Sequence, residues 1–282
     1  MAGEAQAATA KWADLGVRAL SAAILIPAVL ADVWAGGIWF HLFVALIGIL
    51  MAQEWVTIVH RQSPVQFALH AAGAMCGALL PLDVGLGGAL LAIAALTALS
   101  GVTAWRESPG GPAWRYLGVP YVSLPPIALV VLREDAAYGI AAILLVMMMV
   151  WFADTVAYFA GRIIGGPKLA PRISPKKTWA GLVGAMAGSA LAALGVALAM
   201  DLPATGILVV IAALLAIVEQ GGDLFKSAMK RHYGVKDSGN LIPGHGGVID
   251  RVDGLVAVAV AAAIIGASRA GLEQAGAGIL LW

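Results

Sequence analysis

The sequence predicts an all-α fold: a polytopic integral membrane protein with about nine transmembrane helices. Three observations predict it. Of 282 residues, 61% are hydrophobic and only 12% are charged, whereas a soluble chain of this length exposes too much surface to be covered by so few charges. The charged residues are separated by long uncharged stretches, each about a bilayer's width. Lys and Arg also collect at alternate connections between those stretches. This composition excludes a soluble enzyme and a nucleic-acid-binding protein. The single cysteine, Cys76, excludes a disulfide scaffold, and a net charge of +1 by itself says nothing about partners.

In order along the chain, the first candidate span, 17–32, is the shortest, its uncharged part running only from 19 to 31. The segment before it, with Glu4, Lys11 and Asp14, lacks the basic start and small-residue cleavage site of a removable signal peptide and reads as a retained amphipathic lead-in. Uncharged stretches follow at 33–53, 62–82, 84–105, 116–132, 136–153, 178–200, 202–218 and 255–268. Slightly extended, they fit the roughly 20 apolar residues that a helix needs to cross the hydrocarbon. Pro120, Pro125 and Pro126 should break the fifth, a matter of packing in which neighbouring helices or water take up the freed carbonyls, the alternative being that they line a pocket. Nine Trp residues, several near span ends, read as an aromatic belt. His41, His60, His70 and His232 are scattered without metal spacing and read as interfacial. Nine alternating helices place 15 of the 17 Lys and Arg residues on the side of the N-terminus, leaving only Arg133 and Arg269 opposite. Positive charge is retained in the cytoplasm, so the basic side is cytoplasmic.

No repeat of 20–50 residues is evident. Residues 1–150, about five spans, are mostly Ala, Leu, Val and Gly and read as a scaffold facing lipid. Residues 151–282, about four spans, hold two dense polar tracts, 154–178 and 219–253, where chemistry concentrates. In the first, Asp154, Tyr158 and Arg162 are four apart and form one stripe at the end of the sixth helix. An acid costs roughly 2.5–3.5 kcal/mol at the centre of a span, which favours the cytoplasmic end; the bland alternative is an Asp154–Arg162 structural pair. A Gly165-Gly166-Pro167 turn then opens a basic loop with Lys168, Arg172, Lys176 and Lys177. Ser174-Pro175 stands where a new helix could begin, its amides open to an anion. Such loops also simply obey the topology rule or touch anionic lipid.

The second tract is the stronger signal. Asp223, Ser227 and Lys230/Arg231 share one face at the end of the eighth helix. Asp250 and Asp253 share a face at the start of the ninth, where the helix's partial positive charge stabilises acids. Between them Pro243, Gly244, His245, Gly246 and Gly247 form a backbone with little bulk, able to approach a phosphate. Carboxylates from adjacent helices facing cations are self-defeating without a bound partner. Magnesium and a polyphosphate supply one, because Mg²⁺ takes one or two carboxylates plus phosphate oxygens. Taken singly, Asp237 or Arg251 is equally well a member of a salt-bridge network. His245 reads as a phosphate contact or a general acid or base. Zinc is disfavoured by one cysteine and no paired histidines.

Ser227-Ala228-Met229-Lys230-Arg231, then Lys236-Asp237, then Pro243 to Gly247, then Asp250-Arg251-Val252-Asp253 resembles the signature of the phosphatidate cytidylyltransferase (CDP-diacylglycerol synthase) family. Ser174 to Trp179 and the Asp154, Thr155, Tyr158, Gly161, Arg162 segment resemble it too, so the likeness covers 151–181 and 219–254. Ala180 departs from it, since the family commonly has Glu after the tryptophan. The resemblance implies that CTP and phosphatidate give CDP-diacylglycerol and pyrophosphate with Mg²⁺, a second metal ion, divalent or monovalent, being left open. It implies Asp223 and Asp250 as the main carboxylates of the metal centre, with Asp253 close by. Lys230, Arg231 and Lys236 are then candidates for the triphosphate, and Ser174, Lys176 and Lys177 for the triphosphate or the lipid phosphate. A soluble nucleotide and a membrane lipid must meet at the cytoplasmic interface, which points to a bacterial-type inner membrane. No nucleic acid is expected as a partner, and a homodimer is left open. Two rivals are a CTP-dependent transferase acting on another lipid phosphate or alcohol, and an ion-coupled secondary transporter using Glu54, Asp154 and Glu219. The transporter predicts sites near mid-membrane and paired repeats, but the charge gathers at one surface.

Overall fold

The computed structural model describes residues 21–242 and 246–282; the lead-in and His245 lie outside the described residues. The helices are α1 (Ser21–Ala35), α2 (Gly37–Val59), α3 (Pro64–Glu107), α4 (Trp114–Arg133), α5 (Gly139–Ile163), α6 (Trp179–Ala199), α7 (Thr205–His232), α8 (Ile249–Ala270) and the short α9 (Ala275–Leu280). Between α5 and α6 sits a two-stranded antiparallel hairpin, β1 (Lys168–Ala170) and β2 (Ser174–Thr178), pairing Lys168 with Thr178 and Ala170 with Ser174.

Local chemistry explains the boundaries. Ser63 caps α3, its hydroxyl accepting the Gln66 N–H at 3.4 Å, with Pro64 in the first position, where its missing N–H costs nothing. Gly85 takes φ 69° inside α3, a conformation open mainly to glycine, so the expected third and fourth spans are two arms of one broken helix. Among the described residues six helical segments are long and apolar enough to cross a membrane, and α8 with the bent-back segment Leu272–Leu280, turned by 116°, makes a seventh if the pair is taken as one span. The other two of the nine expected segments are α1, which is shorter, and the first arm of α3, which carries Gln66 and His70. Leu91, Ile163, Val183 and Leu198 are each more than 60% exposed on the outside of the bundle, which suits lipid and not water.

Three expectations are corrected. Pro120, Pro125 and Pro126 do not break α4, which runs through all of them. The Val122 carbonyl, which Pro126 cannot bond, faces Gly48 of α2, where an added Cβ would come within 3.2 Å of it. Trp55 does not join an aromatic belt but is wholly buried, while Trp34, Trp39, Trp105 and Trp179 are exposed. His41, His60 and His70 are buried, not interfacial: His41 bonds the Ala78 carbonyl (2.6 Å) and Glu134 (3.0 Å), and His60 meets His70 edge-on.

Two contacts stand out among those that hold the site's elements. Helices α5 and α6 pack on small residues; a Cβ on Gly184 would stand 2.6 Å from the Ala160 methyl, and one on Gly188 would overlap the Phe152 carbonyl. Met51, Ala52 and Trp55 of α2 pack in one core with Met229 of α7 and Val248 and Ile249 at the start of α8.

Candidate active site

The end of α5, the hairpin, the start of α6, the end of α7 and the start of α8 meet at one end of the bundle. This follows from alternation: α5 and α7 end where α6 and α8 begin. Ser174 and Pro175 do not start a helix but lie in β2, correcting the expected anion-binding terminus there. Thr178 is the actual N-cap of α6, its hydroxyl accepting the Gly181 N–H at 3.0 Å. The hairpin thereby holds Lys176 and Lys177 over α7.

Lys177 Nζ lies 2.5 Å from Asp223 Oδ2 and donates to Gln220 Oε1 at 2.7 Å. A cavity of about 450 Å³ opens here, lined by Asp154, Tyr158, Arg162, Lys176, Lys177, Thr178, Gln220 and Asp223. Arg162 donates to the Tyr158 hydroxyl at 2.7 Å, so the expected stripe on α5 is a wall of the cavity. On the inner side of Asp223 three carboxylates converge on one ammonium. Lys226 Nζ stands 3.2 Å from Asp223 Oδ1 and 3.4 Å from Asp250 Oδ1, and also bonds Asp253. Lys230 bonds Asp250 Oδ1, and Ser227 Oγ is 3.4 Å from Asp223 Oδ1. The other Asp250 oxygen, Oδ2, accepts from the Ser238 backbone N–H (2.8 Å) and hydroxyl (2.7 Å).

Asp154, Tyr158, Arg162, Lys176, Lys177, Ser227, Lys230, Asp223, Asp250 and Asp253 are thus brought together. Others are not. Arg231 is exposed, its guanidinium donating to the Val235 carbonyl at 3.3 Å. Lys236, Asp237 and Arg251 are exposed, and neither they nor the half-buried Ser174 line the cavity. Gly246 (φ 82°) closes a small bridge with Ile242, and the bare face of Gly247 is filled by Ser238 and Glu54. Cavity and cluster residues that the sequence reading gave no role include Thr178, Gln220, Lys226 and Ser238. Lys226 was visible in principle, since it stands one turn from Asp223 on α7.

Among the described residues no group of three or more His, Cys, Asp or Glu could hold a metal alone. The donors are all carboxylate oxygens aimed at one point that a cation already occupies, the chemistry of a hard divalent ion completed by phosphate oxygens and not of an all-protein cage. Across α7 from the polar cavity lies an apolar one of about 420 Å³, lined by residues that include Pro120, Tyr121, Leu124, Phe225 and Val256.

A model of the cytidylyltransferase family matches residues 16–268. The chain is 42% identical over 259 residues to a phosphatidate cytidylyltransferase of Brucella abortus, covering 90% of this chain and 94% of the relative. The corresponding enzyme of Pseudomonas aeruginosa is 38% identical over 265 residues (89% and 97%), and that of Staphylococcus saprophyticus 33% over 251 (86% and 95%). A match of that extent, from α1 into α8 and over both polar tracts, shows that the chain belongs to the cytidylyltransferase family.

Proposed function

We propose that this protein transfers the cytidylyl group of CTP to phosphatidate, giving CDP-diacylglycerol and pyrophosphate. The observation that carries the reading is the meeting of Asp223, Asp250 and Asp253 on Lys226, beside a cavity walled by Lys176, Lys177 and Arg162. An oxygen of the phosphatidate phosphate attacks the α-phosphorus of CTP; the α–β bridging bond breaks, and its electron pair leaves with pyrophosphate. A phosphomonoester is already anionic near neutral pH, so the nucleophile needs no base. The residues therefore position and neutralise.

Asp223 and Asp250 would hold Mg²⁺, with Asp253 close by. When bound, the ion polarises phosphoryl oxygens and neutralises the leaving group. Lys177 and Lys230 offer N–H donors to phosphate oxygens from opposite sides of the carboxylates, and Arg162 and Lys176 present further positive charge at the cavity wall. Pro120, Tyr121 and Phe225 border the apolar cavity across α7, a fit for an acyl chain whose phosphate reaches the acids. The cluster sits at the ends of α5 and α7, the end where basic residues gather, which supports a site facing the cytoplasm.

The test is to incubate the purified protein in detergent with labelled CTP, phosphatidate and Mg²⁺. A CDP-lipid and an equal amount of pyrophosphate are expected. Product with another lipid phosphate or a lipid alcohol, and none with phosphatidate, would replace the acceptor named here.

A further inference from the structure

Helix α8 presents Asp250 in its first turn, yet none of its own side chains caps it. The first amides of a helix need acceptors from elsewhere. Here the Val248 N–H donates to Glu54 Oε1 at 2.7 Å and the Ile249 N–H to Glu54 Oε2 at 2.9 Å, across 194 and 195 positions of sequence. Glu54 is buried on α2, in the stretch that reads as scaffold. The loop before α8 is cut to fit it. A Cβ on Gly247 would lie 2.7 Å from Glu54 Oε2, and one on Gly239 would lie 2.9 Å from Glu54 Oε1. The small residues that suggest room for a phosphate therefore make room for a carboxylate of the protein itself. Ser238, beside Glu54, ties Asp250 Oδ2 through two bonds and leaves Oδ1 turned to Lys226 and Lys230.

We infer that Glu54 is a positioning residue: by capping α8 from α2 it fixes the first turn of α8 and, together with Ser238, the orientation of Asp250 toward the metal and the triphosphate. An end turn frays when its cap is lost, and Asp250 is the second residue of that turn. Asp253, one turn further in, is held by Lys226 and depends on the cap less. A carboxylate is needed because two adjacent N–H groups are served at once; Gln offers one oxygen, and its amino group would face a donor.

The inference rests on the reading of Asp250 as a metal carboxylate, so Asp250→Asn is measured beside Glu54→Gln in the full-length protein in lipid nanodiscs. In Glu54→Gln, hydrogen–deuterium exchange of residues 246–252 should quicken while the rest of α8 stays protected. The Mg²⁺ concentration for half-maximal thermal stabilisation in the presence of CTP, without phosphatidate, should rise about 10- to 100-fold, the usual cost of losing an outer support of a metal ligand. The KM for phosphatidate should hold while kcat at fixed Mg²⁺ falls. An unchanged Mg²⁺ requirement in a folded Glu54→Gln protein, whether or not kcat falls, makes Glu54 merely structural and overturns the inference. Should Glu54→Gln fail to fold, Ser238→Ala, which removes the hydroxyl that bonds Asp250 at 2.7 Å and also meets Glu54, must raise the Mg²⁺ requirement, and a wild-type value there overturns it equally. Turnover retained in Asp250→Asn would instead sink the metal reading itself.

Discussion

Lys226→Met tests the charge arrangement most directly. The ammonium has two carboxylate oxygens at 3.2 and 3.4 Å and bonds a third acid, and its side chain is only 8% exposed. At an effective dielectric near 20 each of the two measured pairs is worth about 5 kcal/mol of Coulomb energy, most of it offset by the desolvation of the charges. The substitution keeps length and apolar contact but leaves three acids facing only Lys177 and Lys230, a local charge that moves from zero to −1. Removing one partner of such a cluster costs about 3–5 kcal/mol, which in a chain of this size lowers the unfolding midpoint by roughly 6–20 °C. Because Mg²⁺ can replace the missing charge, the variant should regain more stability from it than the wild type does. An ion at 100 times its dissociation constant returns about 2.7 kcal/mol. The assay is thermal unfolding in detergent across a Mg²⁺ series, with Ca²⁺-free buffer and a K⁺ series of equal ionic strength as controls. Equal Mg²⁺ shifts in variant and wild type would refute the claim that the three carboxylates share one cation site.

Asp250→Asn should lower CDP-lipid formation by at least about 100-fold while circular dichroism still reports a helical, folded protein. Thr178→Val removes the cap of α6 and should cost about 1 kcal/mol, read as an earlier unfolding midpoint, together with a weaker hold on the hairpin that carries Lys177. Gly188→Val drives a side chain into the Phe152 carbonyl and should cost about 1–3 kcal/mol or prevent the α5–α6 contact, seen as loss of expression as a monodisperse particle. Burial first, then the neighbouring His70 and Arg115, pulls the His60 imidazole from its usual 6.5 down to about 3. Its folded form thus binds a proton later than its unfolded form. The stability it supports is intact above pH 6.5 and drains as pH falls from there toward 3, at up to about 1.4 kcal/mol per pH unit. His60→Phe should flatten that part of the unfolding-versus-pH curve, and an unaltered slope would count against a neutral, buried His60.

What could be read before any coordinates were the helices, their alternation and the sites of charge. Hydropathy and the 3.6-residue period are local properties, so they put Asp154, Tyr158 and Arg162 on one stripe, and Asp250 with Asp253 on one face. Alternation then brought both polar tracts to the same end of the bundle. Periodicity cannot say which neighbour a face meets. That is why Arg231, set one residue from Lys230, turns away to the Val235 carbonyl while Lys226 takes the centre of the acids. Nor do propensities weigh a long-range partner. Three prolines in α4 and a strand at Ser174-Pro175 are outcomes of packing against α2 and of hairpin pairing. The glycines before α8 were visible from composition alone, but their occupant, Glu54, comes from another helix almost 200 residues away. The sequence by itself determined a membrane-spanning helical bundle with acids and lysines at one surface, because those follow from the cost of charge in hydrocarbon. Only tertiary structure decided which acid meets which lysine and what holds Asp250 in place, because a hydrogen bond or ion pair depends on distances of a few ångströms that no spacing along one helix defines.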